Sequence, residues 1–222
     1  MNLQEEHKQF KFSPMVIAFP LYFVLLLWIV FWIEGNYNLY LTKYGLYPRT
    51  LSGLKGIVFS PFIHSGIKHL SNNSLPLFIL LTSLFYFYKK IAFKILLYGV
   101  FLSGLLTWII ARDAYHIGAS GIVYLLFSFV LFSGLIRKYY RLIAVSLIVI
   151  FLYGSMIWYI LPTKEEISWE GHLSGFIVGL LFAFRYKNHG PKPLQYDWED
   201  ENYVDDEFEE LNGEFNEFIN KE

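Results

Sequence analysis

Runs of about twenty apolar residues recur along this chain, and few features restrict a fold more tightly. At 1.5 Å of rise per residue such a run spans the roughly 30 Å hydrocarbon core of a bilayer, where a backbone satisfies its own polar groups only as a helix or in a closed barrel. The first run covers residues 14–33, with Pro20 placed to kink it mildly. Others cover residues 69–90, 91–111, 119–136, 142–161 and 169–186. In the second, Pro76 is comfortable where the regular helix begins near Asn73 and makes a kink where it begins earlier. The composition agrees, with 55% hydrophobic residues, 20% aromatic residues and a mean hydropathy of +0.40, above the range of ordinary soluble domains. The predicted fold is all-α, a polytopic membrane protein built as a bundle of six transmembrane helices.

Three regions follow from the same pattern: an N-terminal segment 1–13, a membrane domain 14–186 and an acidic tail 187–222. Glu5 and Glu6 sit beside the first lysines, and no small-residue cleavage site closes the first run, so that run is expected to stay as a span rather than leave as a signal peptide. The tail is dominated by Asp and Glu and reads as solvated and mostly disordered, with a short amphipathic helix around residues 208–218. The connection 34–68 is rich in Tyr, Gly and Leu and broken by Pro48 and Pro61; it is too apolar for a solvated loop and is expected at the membrane interface. A net charge of −1 gives no global basic field for nucleic acid, and the absence of cysteine excludes disulfides, thiolate metal sites and a thiol nucleophile.

Six spans put both termini on one side. Lys8, Lys11, Lys89, Lys90, Lys94, Arg137, Lys138, Arg141, Arg185, Lys187 and Lys192 share that side, whereas the opposite short connections hold Arg112, and Lys164 offset by Glu165 and Glu166. The positive-inside rule makes the termini cytoplasmic. Spans two, four and six then start from the outer face, and their first turns carry His69, Ser120 and His172. Hydropathy does not require three polar groups at one depth, so their agreement points to a shared site.

Ser120 lies in Gly118-Ala119-Ser120-Gly121-Ile122-Val123-Tyr124. Small residues of this kind also serve helix packing alone. His172 argues for more, because an ionisable group within a span is costly and usually has a partner. Gly175 and Gly179 share its side of the helix at offsets of three and seven, a stripe that permits backbone contact and brings the imidazole within reach of a hydroxyl on span four. A histidine base can then activate the serine. Tyr124, four residues beyond Ser120, is placed to stack on the imidazole; Asp113 and Glu170 lie in or near connections, so packing is expected in place of an orienting carboxylate. His69 and Asn73, four apart on one helix face, together with the backbone at the start of span four, are candidates for an oxyanion hole, although Asn72, Asn73 and Ser74 could equally cap a helix. His64 falls off that face and reads as structural.

Rival chemistries fit poorly. Glu170-Gly171-His172 is not a His-Glu-x-x-His zinc motif, histidines 64, 69, 116 and 172 match no ligand spacing, and P-loop and dinucleotide fingerprints are missing, so neither metal nor cofactor is expected. The ordered set Gly118 to Tyr124, Gly171-His172-Leu173-Ser174-Gly175-Phe176-Ile177-Val178-Gly179, and His69-Leu70-Ser71-Asn72-Asn73 with the upstream His64 resembles the rhomboid intramembrane serine proteases over roughly residues 14–186. The resemblance implies Ser120 as nucleophile, His172 as general base, an oxyanion hole from His69, Asn73 and the backbone at Gly118 and Ser120, and Tyr124 stacked on His172. One departure concerns the first connection, where the family's usual Trp-Arg pair is replaced by Leu54-Lys55-Gly56-Ile57, leaving open how that loop is anchored.

The expected function is hydrolysis of peptide bonds in or beside the transmembrane segments of other membrane proteins, with the bilayer and those substrates as partners. The expected location, by resemblance, is a bacterial inner membrane, with the site towards the outer face. The alternative is a catalytically inactive rhomboid-like protein that binds or chaperones transmembrane helices. A small transporter fits less well, because paired broken helices and an inverted repeat are not evident. Substrate identity, oligomeric state and the role of the tail are not encoded legibly.

Overall fold

Helix α1, Met15–Asn36, is apolar on every side, as a segment facing lipid should be. Leu21, Tyr22, Leu25, Ile29 and Trp32 stay exposed on it. Its inner side leans on α3 through the rings of Phe19 and Phe85, 4.6 Å apart. The Trp28 indole N–H also donates to Ser74 Oγ at 3.0 Å, and the Ser74 hydroxyl donates to the Leu70 carbonyl at 2.8 Å. The computed structural model describes residues 13–152, 157–162 and 167–191. Residues 1–12, residues 192–222 of the acidic tail with its amphipathic stretch, residues 153–156 of the fifth span and residues 163–166 of the last outer connection lie outside the described residues.

The first connection is built from short turns: 3-10 helices Leu41–Tyr44, Leu51–Lys55 and Ser60–Phe62, with the single-turn helix α2, Gly56–Phe59, between the last two. Its anchor lies upstream of Leu54. Leu46 and His116 form an antiparallel bridge, Arg49 N–H donates to the Trp108 carbonyl at 3.1 Å, and the Trp108 indole donates to the Thr50 carbonyl at 2.9 Å. The Arg49 guanidinium caps the carbonyls of Ile109 and Ala111, at 3.3 and 2.5 Å, and pairs with Asp113. An arginine–tryptophan anchor therefore exists here, with the tryptophan supplied by another helix.

Five longer helices and a turn follow among the described residues. Helix α3, Ile67–Phe87, starts earlier than expected, so Pro76 lies inside it and leaves the Asn72 carbonyl without its helical donor. Helix α4 is Ala92–Ile110, α5 is Ser120–Ile136, α6 is Tyr140–Leu152 and α7 is Trp169–Arg185. The fifth span departs from the expected continuous helix over residues 142–161. Ile157–Ile160 is instead a 3-10 turn, and it aims the Tyr159 carbonyl at the His172 ring, a direction that a continuous α-helix would have turned along its own axis.

Helix α5 is the centre of the bundle. Residues 122–130 are all buried, which only a helix enclosed on every side achieves, and α3, α4, α6 and α7 all contact it. The most extensive of these contacts is with α7. A Cβ on Gly175 would lie 2.2 Å from the Gly121 carbonyl oxygen, and one on Gly179 would lie 2.1 Å from that of Leu125, so the two backbones meet as only glycine allows. Ser128 Oγ donates across the same seam to the Phe176 carbonyl at 2.7 Å. The fold is an all-α polytopic membrane bundle. Helices α1, α3 and α4 are long and apolar enough to cross a bilayer, while α5, α6 and α7 are shorter.

Candidate active site

The site begins with a tight approach to α5. Gly118 has φ +107°, a conformation that L side chains rarely adopt, and its N–H donates to the Ser60 carbonyl at 2.8 Å. The Ala119 N–H reaches His64 Nε2 at 3.4 Å. Ser120 is then the first helical residue, and no side chain caps the helix. Its N–H, like that of Gly121, has no acceptor among the described residues, as the first turn of a helix leaves them.

Across the glycine seam, His172 Nε2 lies 2.8 Å from Ser120 Oγ. Nδ1 of the same ring lies 2.8 Å from the Tyr159 carbonyl oxygen. A carbonyl can only accept, so Nδ1 carries the proton, Nε2 presents its lone pair, and the Ser120 hydroxyl donates to it. The Tyr124 ring stacks on the imidazole with centroids 4.3 Å apart and an interplanar angle of 18°. The ring is thus held by stacking, as its position one turn beyond Ser120 suggests, and also by a backbone carbonyl.

His69 and Asn73, one turn apart on α3, converge on the open face of Gly118. A Cβ there would lie 2.6 Å from His69 Nε2 and 3.7 Å from Asn73 Nδ2. Asn73 is buried, and its Nδ2 has no hydrogen-bond partner among the described residues. His69 Nδ1 lies 3.2 Å from Ser65 Oγ, which leaves Nε2 facing Gly118. One expectation needs correction: the Gly118 N–H is taken by Ser60 and is not free for an oxyanion. Gly118 acts through its shape, because a side chain at this φ would collide with the His69 ring.

His64 packs edge-on against His69, with centroids 5.0 Å apart. Burial, and then the neighbouring His69, lower its pKa to about 4, so it is neutral at ordinary pH and able to accept the Ala119 N–H. It thereby holds the backbone one residue ahead of Ser120.

Several partners escaped the sequence reading. The guanidinium of Arg112 grips both oxygens of the buried Glu170, at 3.1 and 3.2 Å, and donates to the Ile167 carbonyl at 2.8 Å. His116 is buried, with its pKa lowered chiefly by desolvation, and bonds Ser168 Oγ at 2.6 Å through Nδ1 and the Arg112 carbonyl at 3.1 Å through Nε2. Together they tie the 111–119 connection to the first turn of α7. A signal for the first pair existed, since Arg112 and Glu170 are opposite charges flanking two spans on one side. A cavity of about 50 Å³ beside Ser120, edged by Ser60, Ser103, Thr107, His116 and Ser168, completes the site. It has room for water, whose share of liquid volume is about 30 Å³ per molecule.

The chain also has relatives among known proteins. Residues 52–189 match the Rhomboid domain family model, which takes in the first connection from Ser52 onward, α3 to α7, and Ser120, His172, His69 and Asn73. The chain is 32% identical over 174 residues to Uncharacterized protein Rv1337 of Mycobacterium tuberculosis, covering 73% of this chain and 71% of that one. It is 30% identical over 177 residues to Uncharacterized protein ML1171 of Mycobacterium leprae, covering 73% and 68%. A buried helix led by Gly118-Ala119-Ser120-Gly121, a glycine-striped helix carrying His172 and the family match all converge: the chain belongs to the rhomboid family.

Proposed function

We propose that this protein is an intramembrane serine endopeptidase that works through a Ser120–His172 dyad. The observation that carries the reading is the 2.8 Å approach of His172 Nε2 to Ser120 Oγ, on a ring whose other nitrogen is committed to the Tyr159 carbonyl. Ser120 Oγ attacks the scissile carbonyl carbon while its proton passes to Nε2. The carbonyl oxygen becomes an oxyanion, stabilised by Asn73 Nδ2, His69 Nε2 and the Ser120 N–H, donors otherwise uncommitted on that side. Collapse breaks the C–N bond, and the Nε2 proton goes to the leaving amine. Water then attacks the acyl ester with His172 again as base; the polar-edged cavity beside Ser120 is a route for it.

The substrate is a membrane protein whose helix is locally unwound, because a helical carbonyl is hydrogen-bonded and shielded. The distribution of Lys and Arg favours cytoplasmic termini and a site facing the outer side, and the family resemblance favours a bacterial inner membrane. The test is labelling by a fluorophosphonate probe together with cleavage of a reporter transmembrane substrate. Wild type should label at Ser120, and Ser120→Ala and His172→Ala should each abolish cleavage without loss of expression. Near-wild-type cleavage by either variant would end the dyad assignment, and an unlabelled, inactive wild type would favour a binding protein of the same fold.

A further inference from the structure

A groove of about 530 Å³ opens between α1 and the connection that follows it, and it shares no lining residue with the cavity beside Ser120. This is within the roughly 300–1,000 Å³ typical of small-molecule sites. Leu26 and Val30 of α1 line one side, Val58 and Phe59 of α2 with Phe62 line the other, and the exposed lining is apolar throughout. Val58 and Phe59 stay more than half exposed. Beside a bilayer, such a hollow is filled by hydrocarbon, since a vacancy forfeits dispersion contacts on both walls.

Tyr44 and Lys55 also line the groove, and there the chemistry changes. Lys55 Nζ stands 4.9 Å and Lys43 Nζ 5.3 Å from the centroid of the same Tyr44 ring. Neither lysine has a carboxylate partner among the described residues. The acidic residue closest to them along the chain, Glu34, accepts the Leu41 N–H at 2.9 Å through Oε1. Two ammonium groups beside one ring, with no carboxylate partner among the described residues, form a cationic spot that attracts an anion. An apolar groove with a lysine at its edge and a second lysine on the same tyrosine has the two-part chemistry of a phospholipid.

We infer that this groove is a binding site for an anionic glycerophospholipid, with one acyl chain between α1 and α2 and the phosphate at Lys43 and Lys55. A basic residue at a membrane surface favours anionic lipid by about fivefold, so the pair sets a preference of between about fivefold and 25-fold over a neutral lipid. Native mass spectrometry of the full-length protein in mixed micelles reads this directly, with dioleoyl phosphatidylglycerol in competition with dioleoyl phosphatidylcholine. Wild type should retain phosphatidylglycerol preferentially. Lys43→Gln/Lys55→Gln should bind both lipids equally, and Val58→Trp, which fills the groove, should retain less of each. A wild type without preference, a double variant that keeps it, or a dimer carrying no lipid would overturn the proposal. Circular dichroism of each variant separates lost binding from lost fold.

Discussion

Gly175→Ala isolates the contact that brings α7 to α5. The added Cβ would stand 2.2 Å from the Gly121 carbonyl oxygen, about 1.2 Å short of the 3.4 Å at which ordinary contact begins. The obstacle is helical backbone, which cannot swing aside as a side-chain tip can, so the helices must separate or slide. Borne wholly as separation, that shift takes the 2.8 Å contact between His172 Nε2 and Ser120 Oγ to about 4 Å, beyond the roughly 3.2 Å reach of a working base. Misplacement of about 1 Å costs on the order of 10²-fold in rate. Stability should change far less: overpacking costs about 1–3 kcal/mol, while replacing glycine within a helix returns about 1 kcal/mol. Gly35→Ala is the control, since a Cβ there meets nothing within 4 Å. The assay is cleavage of a reporter transmembrane substrate, beside thermal unfolding of the same samples. Gly175→Ala should lose about 100-fold in cleavage with a modest change in unfolding temperature, and Gly35→Ala should match wild type in cleavage. Wild-type cleavage by Gly175→Ala would refute the idea that backbone contact sets the geometry of the dyad.

Three further outcomes are expected. Asn73→Ala should lower the cleavage rate by about 10²–10³-fold while leaving the Ser120–His172 pair intact, as loss of one oxyanion donor does; single-turnover kinetics would show an unchanged rate if Asn73 only fills space. Arg112→Ala should destabilise the fold by about 3–5 kcal/mol, because it strands the buried Glu170 carboxylate, and Arg112→Ala/Glu170→Gln should recover part of that in thermal unfolding. His64 has a folded pKa of about 4 against 6.5 unfolded, so the unfolded chain binds the proton more readily. Its contribution, on the order of 3 kcal/mol, is therefore complete above pH 6.5 and fades as pH falls towards 4, and His64→Gln should flatten that slope in unfolding measured against pH.

What was legible in the sequence is what side-chain periodicity encodes. Span lengths give the bundle. Offsets of three, four and seven place Gly175 and Gly179 beside His172, Tyr124 beneath Ser120, and Asn73 one turn from His69. These regularities hold wherever a helix is straight, so the bounds of α1, α4, α5 and α7 fall within a few residues of the hydropathy runs. Legibility fails where the helix does. The 3-10 turn Ile157–Ile160 carries an ordinary apolar sequence, and nothing in it announces that one of its carbonyls is turned sideways.

That failure has a physical pattern. Beside the Arg112–Glu170 and His116–Ser168 pairs, the groups missing from the sequence reading are backbone acceptors: the Tyr159 carbonyl that sets the tautomer of His172, the Ser60 carbonyl that takes the Gly118 N–H, and the Arg112 carbonyl at His116. Every residue carries a carbonyl, so composition cannot mark the one that matters; only a break in secondary structure frees it to point at a side chain. The two acceptors around Ser120 lie in 3-10 segments, Ser60–Phe62 and Ile157–Ile160. The same economy explains why no carboxylate needs to stand behind His172. A buried Asp there would have to be ionised in a low-dielectric setting, at a cost of several kcal/mol, whereas a carbonyl orients the ring and selects the same tautomer without any charge. Glu170, the carboxylate nearest to His172 in sequence, is instead buried against Arg112, where its charge is matched. The bundle thus keeps ionised groups out of the dyad and assigns them to holding the connection that delivers Ser120.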